Sequence, residues 1–252
     1  MCEHYILMSS SYTDGVRVAF DITEPHLLCE DYIESVISEI KRQCGVDIAI
    51  SSHLIQTESV SWDSVVRYDP FFKDVYLARS VSDFINKVRA GRFLTGLDVA
   101  HYILSQLPCT HLSLEKLVYF AYADYLCDHM KCLFEDRIFA FTHGPVVESV
   151  YESYKRSGKR YVNSKSDPGD AIISTTVREM PAASRILFAE DGIEKICSIK
   201  DTLRKYGRLS SSELVRLTHR DGSPWSYVDS TKPYQEITDE LILEHHQAEC
   251  IE

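Results

Sequence analysis

The chain has 252 residues, a net charge of −11 and 44% apolar residues, enough for one large domain or two small ones with a sizeable core. An acidic chain is repelled by phosphate backbones, so nucleic acid is a poor partner and a basic protein fits better. No stretch approaches 18 consecutive apolar residues, and the first residues lack the pattern of a signal peptide. Together with eight cysteines that show no repeated spacing, this predicts a cytoplasmic protein with reduced thiols and no membrane segment.

Residues 1–92 predict a small α+β module of unknown role, for which we expect an influence on partner choice. The signals are alternating apolar residues for strands and apolar stripes of helical spacing, one of which ends at Gly45. The predicted elements are a hairpin of strands at 4–10 and 16–22 with a turn at 12–15, a helix at 30–44, a strand at 46–50, extended pieces at 65–66 and 75–77, and a helix at 82–89.

Residues 93–252 predict a mainly helical domain, so the expected fold class is α+β. Thr95 and Asp98 have the spacing of a capping box, and so do Ser210 and Glu213. The other predictions are a loop at 163–171, an extended stretch at 172–177, a short apolar segment of uncertain type at 183–188, a helix at 191–206 that buries Ile193 and Cys197, and a last helix near 237–242. Cys29, Cys44 and Cys127 are also expected to pack on apolar helical faces.

The stretch from residue 110 to residue 158 carries the clearest pattern. A helix capped by Ser113 has its apolar residues at helical spacing, at positions 114, 117, 118, 121, 122 and 125. A strand follows, then a tight turn at His143-Gly144-Pro145, with Pro145 predicted to open a second helix that ends before Gly158. Lys116 lies away from the apolar stripe, which predicts a surface lysine or, as the alternative, an ion pair that fixes helix packing.

Two sequence blocks in this order resemble the Panacea antitoxin domain, the SocA-like family. The first is L-x-K-L-V-Y-F-A at 114–121, which contains Lys116 and Tyr119, followed by a strand and H-G-P-V-V-x-x-V-Y at 143–151, which ends at Tyr151. The second is Tyr206-Gly207 and S-E-L-V-R-L-T-H-R-D-G-S-P-W at 212–225, which contains His219 and Trp225. The resemblance extends over roughly residues 95–245.

The resemblance implies an antitoxin that neutralises a cognate protein toxin by direct binding, without a cofactor. One family member of similar fold is instead an adaptor that delivers its toxin to an ATP-dependent protease, and antitoxins often repress their own operon, so both roles stay as alternatives. The residues implied as motif or partner-binding positions are Lys116, Tyr119, His143, Gly144, Pro145, Tyr151, His219 and Trp225. Many tyrosines and an acidic surface suit recognition of a basic protein.

Enzyme, metal and DNA-binding hypotheses have weaker support. His143 and His219 could serve a hydrolase, but no carboxylate or nucleophile stands at a diagnostic spacing, and turn geometry accounts for His143-Gly144-Pro145. Cys127, His129 and Cys132, with or without His143, lack the paired spacing of a zinc site, so we predict no metal.

A helix-turn-helix over residues 210–225 would need its few basic residues to converge. These are Arg204, Lys205, Arg208, Arg216 and Arg220. Residues 235–252 carry carboxylates and no lysine or arginine, which predicts a solvated acidic tail or a surface that steers a basic partner.

Overall fold

The computed structural model has the α+β fold class that the sequence predicts. It describes residues 1–11, 16–24, 26, 29–156, 161–162, 182–229, 231–232 and 234–251. The chain divides into two compact units, one of which begins at Met1 and ends its main segment at Arg92, while the other begins at Phe93. Among the described helices, none combines the length and apolar character that crossing a membrane requires.

A sheet of four strands forms the first unit. The strands are β1 (Cys2–Ser11), β2 (Val16–Ile22), β3 (Ser51–Thr57) and β4 (Val75–Leu77), in the order β3-β1-β2-β4. β1 is antiparallel to β2 and β3, which confirms the predicted hairpin, and β2 is parallel to β4. The turn predicted at 12–15 lies outside the described residues.

The strand predicted at 46–50 is wrong, because the chain turns there before β3 begins. Gly45 has a φ of 96°, and its carbonyl oxygen accepts a hydrogen bond from the Ile48 amide at 3.2 Å. A positive φ followed by a turn prevents these residues from joining a ladder.

Helices cover both faces of this sheet. They are α1 (Glu30–Cys44), α2 (Trp62–Tyr68) and α3 (Val81–Arg92). Successive strand residues point to opposite faces, so Leu7 packs in the core with α1 and α3 while Ile6 and Met8 pack with Val65 and Phe72. The bounds of α1 are those predicted, and α3 continues past its predicted end to include Gly91.

The extended structure predicted at 65–66 is wrong, since both residues lie in α2. Packing of Val65 in the core overrides the preference of a valine pair for a strand. The piece predicted at 75–77 is confirmed as β4.

The second unit is mainly helical. Its helices are α4 (Gly96–Gln106), α5 (His111–His129), α6 (Glu148–Tyr154), α7 (Ala182–Leu187), α8 (Gly192–Tyr206), α9 (Ser211–Thr218) and α10 (Asp239–His245). Its strands are β5 (Cys109–Thr110), β6 (Ile138–Phe141), β7 (Gly144–Val147), β8 (Tyr161–Val162) and β9 (Gln235–Glu236). β5 pairs with β8, and β6 lies between β7 and β9.

Helix α5 is the centre of this unit, and every residue from Ser113 to Leu126 is buried. A helix that is surrounded on all sides by the core needs no polar face. For this reason more residues of α5 are buried than the apolar stripe in the sequence indicates. The predicted cap at Ser113 is wrong, because the Thr110 hydroxyl accepts from the Ser113 amide at 3.2 Å and the helix begins at His111. The capping boxes predicted at Thr95 and Ser210 are both present.

The second helix predicted in this stretch does not begin at Pro145, which lies in β7 opposite Ala140. Proline has no backbone N–H, so it is tolerated both in the first turn of a helix and on an edge strand. Strand β7 is at the edge of its sheet. The glycine at 158 and the predictions for 163–177 lie outside the described residues.

Two of the predicted core residues of α8 are instead at the surface. Ile193 is 73% exposed, and Cys197 is exposed as well. Cys29, which was also expected to pack in the core, is exposed too, whereas Cys44 is buried and Cys127 is half-buried.

Candidate functional site

Strands β6 and β7 form a hairpin whose turn residues are Thr142 and His143, both exposed. The predicted tight turn is therefore present, one residue earlier than expected. Gly144 follows the turn with a φ of 101°, a conformation that favours glycine. A Cβ at Gly144 would lie 2.6 Å from the Thr218 hydroxyl and 2.9 Å from Cε of Lys116, so any other residue here would require one of these side chains to shift.

Lys116 is fully buried, so the prediction of a surface lysine is wrong. Its Nζ donates a hydrogen bond to the carbonyl oxygen of Pro145 at 2.6 Å. Burial lowers the pKa of Lys116 to about 8, although the carboxylates of Glu115 and Glu249 act in the opposite direction. The lysine therefore joins α5 to the hairpin through its ammonium group.

Glu115, the neighbour of this lysine, holds the other end of the same strand. One carboxylate oxygen accepts from the Val147 amide at 3.1 Å, and the other lies 3.0 Å from Nε2 of His111. Sequence reasoning missed this residue. The available signal was a pair of adjacent charges, Glu115 and Lys116, within an otherwise apolar helix.

His219 and Trp225 hold the turn end of the hairpin. The Trp225 indole donates to the carbonyl oxygen of Phe141 at 2.8 Å, and Nε2 of His219 lies 3.3 Å from the carbonyl oxygen of Thr142. Nδ1 of His219 lies 2.7 Å from the carbonyl oxygen of Val215. The two rings pack with centroids 3.8 Å apart. We call Glu115, Lys116, His219 and Trp225 the hairpin latch.

Most of the predicted motif residues meet at this latch. Lys116, Gly144, Pro145, His219 and Trp225 come together there, and His143 lies at the hairpin turn. Tyr151 packs beside it, with its ring centroid 5.0 Å from that of Phe141. Tyr119 belongs elsewhere, because its hydroxyl donates to a carboxylate oxygen of Glu249 at 2.6 Å.

Tyr119 forms part of a buried charge network that sequence reasoning did not find. His246 lies between two carboxylates, with Nε2 2.9 Å from Asp124 and Nδ1 2.9 Å from Glu249. Burial opposes the charge of His246, but its hydrogen bonds with Asp124, Cys250 and Glu249 outweigh burial and raise its pKa to about 12. An imidazolium here compensates two carboxylates in the interior.

The C-terminal stretch is therefore not simply a solvated acidic tail. Glu249 is fully buried in the network, and burial raises its pKa. Asp239 accepts from the Tyr122 hydroxyl at 2.7 Å. Glu236, Glu240 and Glu244 do remain exposed.

Within the described residues, one group of three side chains has its ligating atoms close enough for a metal ion. Atoms of Asp124, His246 and Cys250 lie within 4.8 Å of one another. Each ring nitrogen of His246 already has a carboxylate partner, so ion pairing accounts for this arrangement. Cys127 and Cys132 instead place their sulfur atoms near Ile242 and Asp239.

Comparisons with known proteins agree with these motifs. The family described as "Antitoxin SocA-like, Panacea domain" matches residues 114–226, which include the whole hairpin latch. The protein "Antitoxin SocA" of Caulobacter vibrioides (strain NA1000 / CB15N) is 29% identical over 122 residues, which are 48% of this chain and 61% of that relative. No solved structure matches at a significant level. Residues 114–226 of this chain are therefore similar to the Panacea domain of SocA-like antitoxins.

Proposed function

We propose that this chain is an antitoxin that binds a protein toxin directly and blocks its activity. The observation that carries the proposal is the match over residues 114–226 to an antitoxin family, joined by the likeness to a relative that is itself named an antitoxin. That relative is matched over about 61% of its length, so its partner is not carried over to this chain.

The geometry of the hairpin latch supports a binding role over a hydrolase. Lys116 and Trp225 donate to backbone carbonyl groups, and both ring nitrogens of His219 lie near such groups. Side chains whose polar atoms are occupied in this way stabilise the fold, which leaves recognition to the surface. With a net charge of −11, that surface favours a basic toxin.

The basic residues near α9 give a DNA-binding regulator less support. Arg204 and Lys205 lie beside the carboxylates of Asp201 and Asp124, and this negative charge weakens their attraction for phosphate. Arg220 donates to the carbonyl oxygen of Cys250 at 2.8 Å. Cations already engaged with the protein contribute less to a phosphate-binding surface.

Co-expression with the product of the neighbouring gene tests the proposal. We expect that product to stop growth alone and the chain to restore growth, with a stable complex on purification and unchanged toxin abundance. An adaptor would instead lower toxin abundance and fail to rescue a strain that lacks the ATP-dependent protease. Growth arrest that persists while both proteins accumulate would contradict an antitoxin role.

We also propose that residues 1–92 influence partner choice. Leu54 and Tyr68 are 67% and 68% exposed in this unit, so both side chains are available to a partner. Substitution of both by serine should change which toxins the full chain neutralises while leaving its melting temperature unchanged. Identical rescue by the variant against every toxin tested would remove this part of the proposal.

A further inference from the structure

Residues of helices α5 and α8 line a cavity of about 220 Å³ that is open to solvent and rich in carboxylates. Its ionisable residues are Asp124, Asp128, Glu194, Asp201, His129 and Lys205. We call this cavity the acidic pocket. His246 compensates Asp124, so the three carboxylates of Asp128, Glu194 and Asp201 face Lys205, and the lining keeps a negative balance that favours a cationic guest.

Asp124 is the buried carboxylate of the acidic pocket, with only 6% of its surface exposed. Its carboxylate is fixed by the Thr202 hydroxyl at 2.8 Å and by His246 at 2.9 Å. The carboxylates of Glu194 and Asp201 are more than half exposed, so they form the rim. A buried, hydrogen-bonded carboxylate below exposed ones suits the ammonium or guanidinium group at the end of a long side chain.

The protein's own cations leave the acidic pocket open. Lys205 lies 3.5 Å from Asp124 and is 49% exposed, and Arg204 pairs with Asp201 from a side chain that is 75% exposed. Arg204 and Asp201 are both more than half exposed, and an ion pair between exposed groups contributes little and exchanges readily with another cation.

Two exposed apolar residues are chain neighbours of residues that line the acidic pocket, Ile193 before Glu194 and Met130 after His129. Ile193 is 73% exposed and Met130, directly after α5, is 70% exposed. Ile193, Cys197 and Asp201 recur at intervals of four residues, which places them along one face of α8. Protein interfaces commonly place apolar anchors at the centre and charged groups at the rim.

We propose that this face of α5 and α8 is the docking surface for the toxin, with a lysine or arginine of the toxin entering the acidic pocket and an apolar side chain covering Met130 and Ile193. The proposal rests on the antitoxin role and adds where the partner binds and what chemistry it presents. The charge of the pocket argues for a basic segment as the occupant.

A charge-matched pair of triple variants tests the docking surface. D128N/E194Q/D201N removes three carboxylates from the acidic pocket, and E236Q/E240Q/E244Q removes three exposed carboxylates from the C-terminal stretch. We expect the first variant to weaken binding of the purified neighbouring-gene product at least about tenfold, to reduce its salt dependence and to lose growth rescue. The second variant should bind and rescue nearly as well as the unchanged chain.

The outcomes separate the two proposals. If the unchanged chain neither binds nor rescues, the antitoxin role fails. If it binds and the two variants behave alike, whether both weak or both strong, the docking surface is overturned. Should the pocket variant lose its melting transition, I193S and E194K each change one exposed side chain, and normal binding by both would also overturn the docking surface.

Discussion

The ammonium nitrogen of Lys116 lies 2.6 Å from the carbonyl oxygen of Pro145. The two residues belong to two separate parts of the family motif, 29 positions apart in the chain. Their contact explains why a lysine is found in the middle of a buried helix, since it fixes a hairpin to that helix.

Replacement of Lys116 by methionine should change how stability depends on pH. The pKa of Lys116 is lowered from 10.5 to about 8 in the folded chain, so between these values the unfolded chain holds a proton that the folded chain has released. Raising the pH through this window therefore stabilises the unchanged chain relative to K116M, by up to about 3 kcal/mol. Urea unfolding of both proteins at pH 7 and pH 10 measures this difference. Parallel pH profiles would show that the ammonium group is not desolvated.

Alanine at Gly144 should destabilise the chain more than alanine at Gly222. Both glycines have positive φ, 101° and 83°, so both substitutions carry the same kind of backbone strain. At Gly144 the new Cβ would also lie 2.6 Å from the Thr218 hydroxyl, whereas at Gly222 the nearest atom is 3.7 Å away. We expect G144A to cost about 1–3 kcal/mol more than G222A in the free energy of unfolding. Equal losses would mean that the latch leaves room for a methyl group.

His246 and its neighbour His245 offer a second matched pair. H246Q removes the cation from between Asp124 and Glu249, and loss of a buried partner costs about 3–5 kcal/mol. Because the folded pKa of His246 is about 12 against 6.5 when unfolded, this contribution is complete below pH 6.5 and declines as the pH rises toward 12. The loss on substitution should therefore be larger at pH 6 than at pH 9.

The control is H245Q, which changes a ring stacked on Tyr227 outside the network. It should cost less than about 1 kcal/mol, without this pH dependence. A similar loss for both variants would contradict the proposed charge network.

Thiol labelling should separate the cysteines by burial. Cys29 and Cys197 are exposed, whereas Cys44 and Cys109 are buried. Burial also raises the pKa of Cys109 to about 12, which further suppresses its reactive thiolate. A short pulse of a thiol-specific reagent followed by mass spectrometry should modify the first pair and spare the second, and labelling in denaturant should modify all four. Fast labelling of Cys109 in the native chain would place it at the surface.

Local signals in the sequence predicted local structure well. Helix α1 has its predicted bounds, and the hydrogen bonds of both capping boxes are present, at Thr95 and at Ser210. Such features depend on residues three or four positions apart, which a single sequence displays directly.

Features that depend on distant residues were not predictable in the same way. His246 pairs with Asp124 across 122 positions, and no spacing rule connects them. The burial of Lys116 likewise depends on the hairpin that packs over α5. Pro145 was misplaced because proline suits both a helix start and an edge strand, so only the pairing with β6 decides between them.

The four contacts of the hairpin latch with the hairpin all end on backbone atoms, at Phe141, Thr142, Pro145 and Val147. Every amino acid offers the same carbonyl oxygen, and all but proline the same amide. The side chains of the two turn residues can therefore be exchanged, or a short reporter peptide inserted between them, without removing any of these contacts. The turn is thus a suitable position for a fluorescent or affinity label in a chain that must remain folded.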